Sequence, residues 1–358
     1  MKSGIFTIVF LLLPLLYLTV YSLKQARSRQ LATTGNGWII LLLLAFTVCT
    51  AYYPEELSSD KFRYVRGYFS AINGGWEEFR DYGWVVYNRV CGKLFGLNID
   101  FFFLLTASAY VFSYYYWARK TFDKRYIGYF IVMAVGCLGF TNYGTNVIRA
   151  GLAISLLIFA ANIKGKWVYK AILALLALSL HKSMIIPIAA YIAAKYVKSV
   201  KVMAAFWLLC LLLSAINFDL GPFFEAVGFI DERVDSYASS MEEMGSGAYE
   251  QGFRVDFLIY SLFPVAIAAY YILYGKMADA KYGFALRMYL LCNAIWLLVI
   301  RMAYTDRIAY FSWFLIPFLC LYPAIVYQKS FKHPQRLVLM FMSIFMFVRL
   351  LLSLRSVI

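Results

Sequence analysis

The chain has 358 residues, 63% of them hydrophobic and only 15% charged, with a formal net charge of +15. That proportion of apolar side chain exceeds what one soluble core can bury, which excludes a soluble globular domain and makes the lipid bilayer part of the solvent. The basic residues are spread over several short connections and form no single surface, which excludes a nucleic-acid partner.

The first apolar run, 4–23, follows Lys2 and resembles a secretory signal in outline. Lys24, Arg27 and Arg29 follow it at once and no small-x-small cleavage site ends it, so it is expected to stay as a span. Apolar segments between charged punctuation predict further helices at 38–53, 99–118, 126–144, 147–163, 167–180, 183–197, 200–217, 255–274, 283–301, 307–327 and 336–354. Several approach the roughly 20 residues that cross about 30 Å of hydrocarbon. None shows the apolar/polar alternation of a barrel strand. The expectation is a single all-α polytopic membrane domain, 1–358, with about 12 transmembrane helices. The stretch 167–197 is the least determined element; two short helices with His181-Lys182-Ser183 at their turn fit the charges better than one long helix.

Six connections, 24–37, 118–125, 164–170, 195–201, 275–287 and 329–336, hold more than half of the 34 Lys and Arg, against only Asp123 and Asp279. By the positive-inside rule these are cytoplasmic. Two long loops, 54–98 and 218–253, then lie on the extracytoplasmic side, where long connections commonly carry function. The second has eight Asp/Glu against Arg233 alone, with Gly245 and Gly247 beside aromatic residues such as Phe223, Phe224, Tyr237 and Tyr249. A lid that stacks sugar rings and a solvated acidic loop are equal readings of it. Five of the six cysteines lie in apolar segments and Cys91 lies in the first loop, which gives neither a disulfide framework nor a metal-ligand spacing.

Arg149, His181-Lys182 and Arg307 each stand where a helix starts inward from the outer side, beside capping candidates Asn146, Ser183 and Asp306. A helix N-terminus carries free N–H groups and about half a positive charge, so an Arg or Lys beside it makes an anion site that suits a diphosphate. The planar guanidinium holds phosphate oxygens bidentately and stays charged when desolvated. Arg301, Arg349 and Arg254 lie near the same level and could assist, although for any one cation, snorkelling to headgroups or pairing with acidic loops is the simpler reading. His181 by itself reads as a structural junction residue, and His333 falls in a cytoplasmic connection, so no His pair is expected to bind a metal. Asp60 and Asp81 flank an aromatic stretch in the first loop; either could act as a base towards a sugar hydroxyl or pair with Arg63, Arg66 or Arg80.

These residues together resemble the EpsG-type branch of the Wzy polysaccharide polymerases. Asp60 with Tyr64 is similar to that family's Asp-x-x-x-Tyr element, and Asp81-Tyr82-Gly83 follows where relatives carry an acidic residue and a Gly before an aromatic. Asn146-Val147-Ile148-Arg149 resembles its Asn-x-x-Arg element, His181-Lys182-Ser183 its His-x-Ser turn, and Arg307 with Tyr310-Phe311 its late Arg before an aromatic pair. Ala150, where relatives commonly have Gln, and Tyr82, in an element often written with Pro, depart from the pattern.

The resemblance implies a class C-like membrane glycosyltransferase of the bacterial cytoplasmic membrane, with its site facing outward. It would move a growing glycan from polyprenyl diphosphate onto the next lipid-linked repeat, without metal or cofactor. Implied catalytic residues are Asp60, Asp81, Arg149, His181 and Arg307; implied substrate contacts are Tyr64, Asn146, Lys182, Ser183, Arg301 and Tyr310. Its partners would be the polyprenyl-diphosphate-linked oligosaccharide, membrane lipid and other polysaccharide-assembly proteins. A lipid-linked-sugar transporter would place its polar groups at the bilayer midplane on repeated halves, and no internal repeat is evident. A sugar O-acyltransferase would rest on His181 alone.

Overall fold

A computed structural model describes residues 14, 16–21, 31, 33, 36–54, 58, 60–74, 81–226, 252–273 and 278–355. Within them the protein is all α and membrane-embedded. In chain order the helices are α1 Asn36–Ala51, α2 Lys61–Ile72, α3 Tyr82–Phe95, α4 Ile99–Thr121, α5 Ile127–Gly136, α6 Leu138–Thr145, α7 Ile148–Asn162 and α8 Trp167–Leu180. They continue as α9 Ile185–Tyr196, α10 Val200–Ala215, α11 Gly221–Ala226, α12 Val255–Leu273, α13 Ala280–Leu297, α14 Asp306–Trp313, α15 Ile316–Val326 and α16 Pro334–Arg355.

The expected dozen crossings are not found among the described residues. Among the described residues only Val255–Leu273, Asp306–Val326 and Pro334–Leu351 are long and apolar enough to cross a membrane. A fourth is reached if Lys124–Gly136 and Leu138–Thr145, bent by 74°, count as one broken span. The positions of the apolar stretches were readable; their lengths as continuous helices were not. α1, α7, α8 and α10 have 14 to 16 residues, about 21–24 Å of helix, against about 30 Å of hydrocarbon. The stretch 126–144 breaks at Cys137, whose extended backbone (ψ 138°) ends α5. α4 is long enough at 23 residues, but its Ser, Tyr and Trp content leaves it less apolar than a membrane span requires. The stretch 167–197 forms two helices joined by the turn Lys182–Met184.

The region expected as the first long loop, 54–98, contains α2 and α3 packed as a pair. Of the second, α11 is described, while Arg233, Tyr237, Gly245, Gly247 and Tyr249 lie outside the described residues, as does most of the expected helix 4–23.

The chain forms two compact units, Met1–Met184 with Cys320–Ile358, and Ile185–Leu319. In the first, every residue of α5 is buried, and Gly136 lets Met346 of α16 approach it closely. α7 packs on α4 and α8, and α3 packs on α2 and α8. In the second, α13 packs against α9, α10, α12 and α14. Part of its polar core pairs internally: Trp207 Nε1 donates to Asn293 Oδ1 (2.8 Å), Asn293 Nδ2 to Ser312 Oγ (3.1 Å) and Trp313 Nε1 to Ser261 Oγ (2.8 Å), while Trp296 Nε1 and Ser214 Oγ are buried without a hydrogen-bond partner. Such pairing is what a buried amide or indole requires.

Five basic side chains close helix C-termini from outside the helix they cap. Lys61 Nζ donates to Ala51 O (3.1 Å) and Tyr53 O (2.6 Å) at the end of α1. Arg89 donates to Ala71 O and Gly74 O at the end of α2, and Arg349 to Val135 O in the last turn of α5. In the second unit Arg287 donates to Ala194 O and Lys198 O at the end of α9, and Arg301 to Ser214 O at the end of α10. The last carbonyls of a helix lack partners and carry its negative pole, so a cation there satisfies both needs.

Candidate functional site

In the first unit, three segments far apart in sequence meet at one carboxylate. Asp81 precedes α3 with extended backbone, the position from which an Asp side chain ordinarily caps its own helix. It makes no such bond. Its Oδ2 lies 2.9 Å from Arg149 Nη1 and 3.5 Å from His181 Nδ1, and its Oδ1 accepts the Lys182 N–H at 3.1 Å. The Asp81 side chain is 5% exposed, those of Arg149 and His181 17% and 20%. The carboxylate is therefore enclosed while its two side-chain partners keep an outward face.

Burial alone would raise the Asp81 carboxyl; the His181 hydrogen bond, the Arg149 charge and the Lys182 N–H together outweigh it and hold the group below the usual carboxylate range. Asp81 is ionised at neutral pH and fixes its partners.

The backbone makes this meeting possible at two glycines. A Cβ on Gly83 would overlap Ser179 Oγ and the Ser179 carbonyl, so only glycine lets the first turn of α3 rest on the last turn of α8, beside His181. A Cβ on Gly151 would collide with the Tyr143 carbonyl oxygen, so glycine also permits the tight break from α6 to α7 that brings Arg149 into the first turn of α7.

The other candidates fall as follows. Asp60, 5% exposed, precedes α2 and, like Asp81, does not cap with its side chain. Tyr64 is buried edge-on against Trp84 of α3, with ring centroids 5.6 Å apart. Asn146 ends α6 instead of capping α7: its Nδ2 donates to Asn142 Oδ1 (2.9 Å), and its Oδ1 is buried without a hydrogen-bond partner. Ser183 is buried in the turn after His181, and Asp306 lies inside α14, whose N-cap is Thr305.

The second unit holds its own cluster. The Arg307 guanidinium lies 4.8 Å from the centre of the Tyr304 ring. Tyr304 itself adopts a left-handed backbone (φ 55°). Tyr310 OH donates to Asp306 Oδ2 one turn away. Arg301 stands 5.0 Å over the Phe253 ring besides closing α10.

The anchoring of Arg149 by Asp81 was missed in the sequence, where Arg63, Arg66 and Arg80 are the near partners. Asp81-Tyr82-Gly83 held a usable signal: a glycine inside the first turn of a helix marks close backbone approach. Among the described residues no group of three His, Cys, Asp or Glu is placed to hold a metal ion, and the six cysteines are buried thiols outside any disulfide.

The model of the EpsG family matches residues 37–357, almost the whole chain. No curated protein and no solved structure matches it.

Proposed function

The chain belongs to the EpsG family of polysaccharide-biosynthesis membrane proteins, and from that premise we propose that it polymerises lipid-linked oligosaccharide repeats at the outer face of the bacterial cytoplasmic membrane. The growing glycan leaves its polyprenyl diphosphate and joins the next lipid-linked unit. The observation that carries this reading is the anchored cation cluster Asp81–Arg149–His181–Lys182.

In this reaction an acceptor hydroxyl oxygen bonds to the anomeric carbon, the bond from that carbon to the diphosphate oxygen breaks, and the hydroxyl proton passes to a base. Negative charge grows on the departing diphosphate. Arg149, oriented by Asp81, supplies a fixed guanidinium for that charge; such preorganised stabilisation is commonly the largest catalytic contribution. A carboxylate already held by Arg149, His181 and the Lys182 N–H is a weak base, so Asp81 serves as the anchor. His181 takes the proton, imidazole being suited to transfer near neutral pH.

The test uses the purified full chain in nanodiscs with the lipid-linked repeat of its own organism, products separated by size. Wild type is expected to give a ladder, and Arg149→Ala to slow its growth by about 10²-fold, as for loss of one oxyanion donor. A folded Arg149→Ala protein that polymerises at the wild-type rate refutes the site, and a folded wild type that leaves only monomer refutes the polymerase.

A further inference from the structure

α3 differs from the short apolar helices around it. α8 exposes apolar side chains on several sides, among them Trp167, Ile172, Leu175 and Leu176, as suits contact with bulk lipid. α3 carries Asn88, Arg89 and Lys93 and is not among the apolar helices of the chain. Its outward surface nevertheless repeats an exposed apolar residue nearly every turn: Tyr82, Val86, Val90, Leu94, and Leu97 just beyond its end. The two ends of this row are 75% and 78% exposed. Spacing of four places Tyr82, Val86, Val90 and Leu94 in one ridge along the helix, Leu97 follows the turn at Gly96, and 14 residues extend about 21 Å.

The ridge is narrow and it begins at the candidate site. Tyr82 follows Asp81 directly, so the enclosed carboxylate with its partners Arg149 and His181 stands at the ridge's N-terminal end. Lys93 is exposed beside it, and Arg89 lies over the end of α2, so charged groups border one flank of the ridge and limit its breadth there. A ligand complementary to both features is an amphiphile with an anionic head and one long hydrocarbon tail.

Resting on the polymerase reading, we propose that the ridge Tyr82–Val86–Val90–Leu94–Leu97 is the track for the polyprenyl tail of the lipid-linked substrate, whose diphosphate lies at Arg149. The tail is bound by apolar burial along α3, and the track sets how long a carrier the enzyme uses well.

Two measurements test this. The first compares wild type with Val90→Asn/Leu94→Asn, both at exposed positions, on the lipid-linked repeat carried by long-chain polyprenyl or by a short-chain isoprenoid. The variant is expected to raise KM for the long-chain substrate about tenfold, leaving KM for the short-chain one and both kcat values unchanged. Equal KM for wild type and variant on the long chain, or equal losses on both substrates, overturns the track. The second reads binding without turnover: polyprenyl diphosphate with a photoactivatable tail is crosslinked to the full chain and mapped by mass spectrometry. Labelling at Val86–Leu97 that unlabelled polyprenyl diphosphate removes and phosphatidylglycerol does not is the expected result. Labelling removed equally by both means that ordinary lipid covers α3, and the proposal falls. If wild type polymerises neither substrate the enzymatic reading fails, while the crosslink still decides the track.

Discussion

Arg149 and Arg307 occupy the same kind of place, the first turn of a helix after a break, yet the protein treats them differently. Arg149 is gripped by a carboxylate 68 positions earlier in the chain, delivered by a separate helix. The Arg307 guanidinium lies on the ring of Tyr304 in the preceding turn, and the neighbouring Asp306 is joined to Tyr310 of its own helix. An arginine held across the fold keeps its position only while several elements stay docked, whereas local contacts survive with their own turn. The first arrangement gives a charge of fixed direction, which is what transition-state stabilisation requires.

Substitutions at the two carboxylates sharpen that contrast. Asp81→Asn removes the enclosed charge that Arg149, His181 and the Lys182 N–H hold and is expected to cost about 3 kcal/mol of stability, together with most of the polymerase activity. Thermal unfolding in one nanodisc composition, with a product ladder from the same preparation, checks both. Gly83→Ala forces α3 away from Ser179 and should cost about 2 kcal/mol; its distinctive sign is that activity falls although Asp81, His181 and Arg149 are all present. Asp306→Asn weakens one local hydrogen bond and should cost about 1 kcal/mol. Should Asp306→Asn prove as damaging as Asp81→Asn, the distinction between long-range and local anchoring is wrong.

The smallest effect concerns acidity. The folded Asp81 carboxyl titrates below its unfolded value of about 3.9, so its contribution is complete well above that value and is lost as pH falls through the lower folded one. The stability gap between wild type and Asp81→Asn should therefore close progressively below about pH 3.9. A gap that closes near pH 6 would assign the titration to another group.

The sequence was most informative about residues whose role follows from a local pattern. Apolar runs located the helices, because a hydrocarbon-compatible stretch is visible without its neighbours. The family elements picked out Asp81, Arg149, His181 and Lys182 before any geometry joined them. What could not be read was whether an apolar run is continuous: the break at Cys137 depends on packing, which a hydropathy pattern does not encode. The partner of Asp81 was hidden for a related reason. Arg63, Arg66 and Arg80 are nearer along the chain, and only the docking of α3 on α8 brings His181 into reach.

The five cations that close helix ends bear on how this protein should be searched genetically. Arg287 and Arg301 look from sequence like a cytoplasmic charge and a substrate contact, yet each holds the carbonyl terminus of another helix. Neutralising such a residue uncovers a row of acceptors that lipid cannot solvate. A mutant hunt scored on lost polysaccharide would return Lys61, Arg89, Arg287, Arg301 and Arg349 alongside Arg149, and protein abundance in the membrane, measured for each colony, would sort scaffold from chemistry.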